Sequence, residues 1–294
     1  MLDLLDDPTV IEIMLNADHR LWVERLGRPM EPCGTMTEPE AMTLFGTIAS
    51  SVGREINVRN PRLECELSLD GSRFEALIPP VSPAPVFALR KRASKVFSLD
   101  EYVASKILTP AHREVLRRAV GERKTILIVG GTGSGKTTLV NAVLLEISEQ
   151  NPLDRAIILE DTIELQCPAQ NMVALRTAAN VDMTFLLKAT LRLRPDRIIV
   201  GEVRDGAALA LVKAWNTGHP GGVATVHANS ALEGLVRLEM LIAEATTSGV
   251  TVPGLIAAAV DLIVFIQREN HGRRVREIVA VKGHDGSQYI TEEI

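Results

Sequence analysis

Residues 130–137 read "GGTGSGKT", a complete match to G-x-x-x-x-G-K-[ST]. The spacing has a chemical reason. Glycines let successive backbone N–H groups converge on one anion, and a helix starting there adds the partial positive charge of its N-terminus. Gly130, Gly131, Thr132, Gly133, Ser134 and Gly135 supply the cradle, and Lys136 reaches β- and γ-phosphates. Thr137 offers a hydroxyl to Mg²⁺, and Thr138 completes the binding stretch. An apolar strand-like run, "TILIVG", comes before the loop and a helical pattern, "TTLVNAVLLEI", after it, which is the context the motif requires.

Triphosphate hydrolysis also needs carboxylates. "RIIVGEVRD" sets Glu202 just past an apolar strand, the place of a Walker-B acid, where it can orient water or bind magnesium through water. "ILEDTIEL" sets Glu160, Asp161 and Glu164 past a second one. Glu160 is the candidate to polarise the attacking water, and Glu164 reads as a solvated first-turn charge. "TGHPGGVATVHANS" then brings His219 and His227, eight residues apart, with no cysteine and no HExxH spacing. His227 ends a strand aimed at the phosphate-loop edge, where an imidazole can donate to a phosphate or to water. The glycines before it are expected to let the loop move between nucleotide states. His219 is open between a sensor and a local cap. For stabilising transition-state charge, the candidate guanidiniums are Arg192, Arg194 and Arg204 around Walker B, with Arg73 and Arg90 upstream.

The elements that position these groups fall into two blocks. "IEIMLN" and "RLWVER" around "ADH" predict a hairpin, as do "LECELSL" and "SRFEALI" around Asp70-Gly71. "EPEAMTLFGTIASSVG" predicts a helix between them. Residues 1–82 thus form a small α+β domain. The prolines of "IPPVSPAPVFALRKR" exclude a central strand or helix across them, so 83–97 is read as a semi-rigid linker. "SLDE" at 98–101 opens a helix with a capping box, and "TP" at 109–110 opens another that Gly121 ends. From residue 124 strand and helix patterns alternate, predicting a mostly parallel sheet wrapped by helices within a second domain of residues 98–294.

Composition narrows the function. The chain has 294 residues, 46% hydrophobic and 23% charged, as a well-buried globular protein requires. Its net charge of −5 and 3% aromatic content disfavour nucleic-acid binding built on phosphate neutralisation and base stacking. Cys33, Cys65 and Cys167 stand far apart and read as reduced thiols. No basic secretory n-region and no membrane-spanning apolar run occur, so a cytoplasmic chain is expected. An N-K-x-D guanine-reading motif is missing, which favours adenine.

Taken together, "GGTGSGKTT", "LEDTIEL", "RLRPDRIIVGEVRD" and "GHPGGVATVHANS" resemble the Walker A, Asp-box, Walker B and His-box of the secretion ATPases. The opening "DPTVIEIMLNADHRLWVERLG" resembles more narrowly the conjugal-transfer branch, the TrbB-like ATPases of type IV secretion; members often carry a further helix ahead of "DPTV", so the start looks short. The resemblance implies a RecA-like P-loop NTPase domain behind the α+β domain, and an ATP- and Mg²⁺-dependent ATPase assembled as a hexamer. It also implies contact with inner-membrane components of a secretion machine, at the cytoplasmic face. In such proteins arginines of the N-terminal domain close over the nucleotide, which makes Arg73 and Arg90 the expected pair here. Type II secretion and pilus-retraction ATPases, DNA-translocating RecA-like motors and non-hydrolysing nucleotide-gated scaffolds are the alternatives.

Overall fold

A computed structural model describes residues 2–25, 28–92, 95–245, 252–269 and 272–294. The chain divides into two compact units, Met1–Lys95 and Val96–Ile294.

In the first unit, α1 (Leu2–Asp6), β1 (Val10–Leu15), β2 (Arg20–Arg25) and β3 (Glu31–Thr35) precede α2 (Glu38–Ser51), with β4 (Arg62–Glu66), β5 (Arg73–Leu77) and β6 (Val86–Arg90) after it. The strands form an antiparallel sheet in the order β3-β2-β1-β6-β5-β4. Both expected hairpins are present, β1–β2 and β4–β5. α2 starts where Glu40 accepts the Thr37 N–H at 2.8 Å, and its Phe45 packs edge-on against Phe74 and Phe87 of the sheet. The expected linker 83–97 is partly strand. Val86–Arg90 is β6, paired to β1 on one side and β5 on the other. Pro79, Pro80, Pro83 and Pro85 all precede it, so the ladder loses no donor; Phe87 and Leu89 alternate inward behind them. Residues 93–94 of that stretch lie outside the described residues.

The second unit runs α3 (Leu99–Ala104), α4 (Pro110–Gly121), β7 (Ile126–Val129), α5 (Lys136–Gln150), β8 (Ala156–Glu160) and β9 (Met172–Arg176). α6 (Met183–Thr190), β10 (Arg197–Val200), α7 (Ala207–Asn216) and β11 (Val223–Val226) follow. It closes with α8 (Ala231–Ala245), α9 (Val252–Ala259), β12 (Leu262–Glu269), β13 (Gly272–His284) and β14 (Tyr289–Glu293). Ser98 and Glu101 make the expected capping box on α3. Thr109 caps α4, which continues through Gly121; the left-handed residue that ends it is Arg123, at φ 56°. The sheet order is β14-β13-β12-β7-β11-β10-β8-β9, parallel from β12 to β9 and antiparallel at β13 and β14. β7 shows why both faces must be covered. Its Leu127 and Val129 enter the core under α6 to α9, and Ile126 and Ile128 the core under α3 to α5.

One buried ion pair ties down the sheet edge where the parallel strands begin. The Arg197 side chain, 0% exposed, donates to Asp154 Oδ2 at 2.7 Å and to the carbonyls of Gly221 and Val120 at 3.2 and 3.1 Å. Arg123 holds the other Asp154 oxygen. Removing one partner strands a charge where water cannot reach it. Asp154→Ala is therefore expected to cost about 3 kcal/mol or more in urea unfolding; a loss below about 1 kcal/mol would show that the guanidinium finds other company.

Candidate functional site

The phosphate loop leaves β7 at the carboxyl edge of the sheet and enters α5 directly. Gly135 stands at the helix start with φ 94°, a left-handed conformation that a side chain would strain. It brings no capping side chain, so the start of the helix offers its partial positive charge to an anion. Gly130 has a different reason: a methyl there would meet the Ile266 carbonyl at 2.3 Å and Ser134 Oγ at 2.6 Å. Ser134 is buried, and among the described residues its hydroxyl has no hydrogen-bond partner. A polar atom left over inside such a loop fits a bound phosphate.

Lys136 lies almost buried with its Nζ donating to the carbonyls of Gly130 and Gly131 at 2.9 and 3.0 Å. Its third direction points at His227 Nδ1, 3.4 Å away. Across the ring, His227 Nε2 lies 2.6 Å from Glu202 Oε1. An ammonium can only donate and a carboxylate only accept, so the imidazole here is neutral, with its proton on Nε2. Its pKa is held below the ordinary histidine value, first by partial burial and then by the Lys136 charge, against the pull of Glu202. The line continues: Arg204 reaches Glu202 Oε2 at 3.5 Å and Asp161 Oδ2 at 2.6 Å, and Thr177 donates to Asp161 Oδ1 at 2.9 Å. Thr225 ties β11 to this turn, donating to the Gly201 carbonyl at 2.6 Å.

Glu160 ends β8 nearly buried, and its Oε1 accepts the N–H groups of Glu164 and Leu165, both at 2.9 Å. Those two bonds fix the carboxylate at the edge and order the irregular turn after it. Glu164 is part of that turn, with no helix following β8 directly. Gly201 makes room for it: a methyl there would meet Glu160 Cγ at 3.0 Å.

This arrangement of loop, carboxylates and histidine on one sheet edge invites comparison with known proteins. A family model described as "Type II/IV secretion system protein" matches residues 60–279. The chain belongs to that family. It is 53% identical over 288 residues to the conjugal transfer protein TrbB of Rhizobium radiobacter, covering 98% of this chain and 88% of the relative. The solved VirB11 ATPase of the Brucella suis type IV secretion system is 28% identical at a TM-score of 0.52, over 94% of this chain and 91% of its own. The Legionella pneumophila ATPase DotB, 20% identical, shares the fold at a TM-score of 0.69, over 95% and 79% of the two chains. The fold is that of the secretion ATPases, an N-terminal α+β unit and a RecA-like α/β unit.

Within this secretion-system protein the structure sorts the sequence candidates. Lys136, Glu202, His227 and Glu160 share one edge, and Arg204 joins them through Asp161. Arg192 and Arg194 precede β10 and so belong to the opposite edge, exposed. Arg73 and Arg90 lie in the first unit as direct neighbours across β5 and β6. The glycine-rich part of the His-box corrects an expectation. Residues 217–222 precede β11, so they too occupy the opposite edge and do not gate the nucleotide. Gly221 is pinned by Arg197, a methyl at Gly222 would stand 2.0 Å from Trp215 Nε1, and His219 Nδ1 lies 3.1 Å from the Ala214 carbonyl at the end of α7. His219 is a cap. Sequence reading missed Arg268 and Arg273, which flank the phosphate loop; their only signal is a position just past the buried run "LIVFI" at the same edge.

The His227 shift yields a test in metal-free, nucleotide-free protein. A histidine pKa lowered by folding means the unfolded chain takes the proton first as pH falls. The group's contribution to stability is complete above about pH 6.5 and is lost as pH drops below it. In an NMR titration, His227 is expected to titrate below its ordinary value, to rise in Lys136→Ala and to fall further in Glu202→Gln. Equal values in all three proteins would contradict the Lys136–His227–Glu202 line.

Proposed function

We propose that this chain hydrolyses ATP with Mg²⁺ to power a conjugative type IV secretion machine, working as a ring of six copies. The continuous line from Lys136 through His227 to Glu202, at the mouth of a phosphate loop, carries the proposal. The identity to a conjugal transfer protein supports the machine. In this reading a triphosphate draws Lys136 away from the loop carbonyls and His227 toward its β- and γ-oxygens. His227 keeps its Nε2 proton on Glu202 and turns its freed Nδ1 lone pair toward the attacking water beside the γ-phosphate, from which it accepts a hydrogen bond. Glu160 and Glu202 orient that water, and Arg204 holds Glu202 and Asp161 in place.

Among the described residues no group of three or more His, Cys, Asp and Glu could hold a metal alone. Mg²⁺ takes much of its shell from phosphates and water. Thr137 and, through water, Glu202 would hold it, and it would neutralise charge on the β- and γ-oxygens. Arg73 and Arg90 are the guanidiniums proposed to meet the nucleotide from the first unit. Among the described residues no helix is long and apolar enough to cross a membrane. The proposed place is the cytoplasmic face of the inner membrane, on membrane components of the machine.

Phosphate release and sizing, each with Mg-ATP and with EDTA, test the proposal. Turnover that needs Mg²⁺, in particles of six copies, is the expected result. Absence of phosphate release would leave a nucleotide-gated scaffold, and turnover that requires single-stranded DNA would favour a DNA-translocating motor.

A further inference from the structure

The phosphate-loop strand β7 lies between β11 and β12. The histidine and the two carboxylates assigned to the attacking water are on the β11 side: His227 follows β11, Glu202 follows β10 and Glu160 ends β8. β12 runs parallel to β7, so its end, and the start of antiparallel β13, emerge at the same edge on the other side of the loop. Two guanidiniums of that corner flank the phosphate loop. Arg268 and Arg273 are direct cross-strand partners. Arg273 Nε donates to the Gly133 carbonyl at 3.2 Å, and its Cδ would stand 2.9 Å from a methyl on Gly135. A guanidinium nitrogen of Arg268 would stand 3.6 Å from a methyl on Gly133. The corner is also braced, because the Val275 N–H donates to the Ile107 carbonyl at 2.9 Å.

A triphosphate seated with its γ-phosphate toward Lys136, His227 and Glu202 must extend its other end toward β12 and β13. The phosphates already have loop N–H groups, the α5 N-terminus and Lys136. What the far corner adds is planar, weakly hydrated cations, the side chains that stack on flat heteroaromatic rings. We propose that Arg268 and Arg273 form the nucleoside subsite. Arg268 presents its guanidinium to the purine face, and Arg273 holds the phosphate loop beneath it. This rests on the reading of the loop as an ATP site.

Calorimetric binding to the full chain, with Mg²⁺, tests the subsite with two probes: ATP, and inorganic tripolyphosphate, which can fill the loop without a nucleoside. Arg268→Ala is expected to weaken ATP about fivefold or more and to leave tripolyphosphate within about twofold. Arg268→Lys keeps the charge and loses the plane, and is expected to bind ATP as poorly as the alanine variant. Melting curves verify that both variants fold, and the lysine variant carries the test if the alanine variant does not. Equal weakening of both probes, unchanged ATP affinity, or full recovery with lysine would each overturn the subsite. Wild-type protein that binds neither probe would overturn the ATP site itself. Wild-type protein that binds ATP no more tightly than tripolyphosphate would overturn the subsite alone.

Discussion

Lys136→Ala is expected to lose at least about 100-fold in kcat/KM for ATP, and to bind ATP measurably more weakly. The lysine is placed before any nucleotide arrives, held by the Gly130 and Gly131 carbonyls and facing His227. Its removal takes away the one side-chain cation that the loop itself contributes to the phosphates. The fold should survive, because β7 and the helices around it draw their stability from apolar cores on both sheet faces. Phosphate release, ATP binding and a melting curve on the same preparation check this. A folded variant that still hydrolyses ATP within about threefold of wild type would remove the loop from the chemistry.

Glu202→Gln separates binding from turnover. The amide can still accept the His227 Nε2 proton through its oxygen, so shape and histidine orientation persist while the charge is gone. ATP affinity is expected to stay within about threefold and turnover to fall about 100-fold or more, the pattern of an interaction made mainly in the transition state. Wild-type turnover in this variant would disprove the Walker-B role.

The parts of this site that could be read in the sequence are those whose chemistry depends on neighbours along the chain. "GGTGSGKT" is contiguous, so strand, loop and helix followed from one stretch. Glu160, Glu202 and His227 were legible because each ends an apolar run, and parallel strands must deliver their ends to one edge. The same logic, applied to Thr217–Gly222, would have placed those glycines before the strand and so at the wrong edge for a gate. β6 was hidden because prolines next to an alternating segment look like a linker, although a proline before a strand costs it nothing. The approach of Arg268 and Arg273 to the phosphate loop, through β12 pairing with β7, and the Asp161–Arg204 pair both join segments more than forty residues apart, which no local pattern encodes.

The central claim is that Lys136, His227 and Glu202 act as one array on the γ-phosphate. A double-mutant cycle on phosphate release, with His227→Ala, Glu202→Gln and the pair together, addresses it most directly. His227→Ala alone is expected to cost at least about tenfold in turnover with ATP affinity little changed. Because His227 acts through the Glu202 charge behind it, which the glutamine variant removes while keeping the hydrogen bond, the double variant should turn over no more than about threefold slower than Glu202→Gln alone. Losses that multiply in the double variant would mean that histidine and glutamate act independently, and would contradict the account.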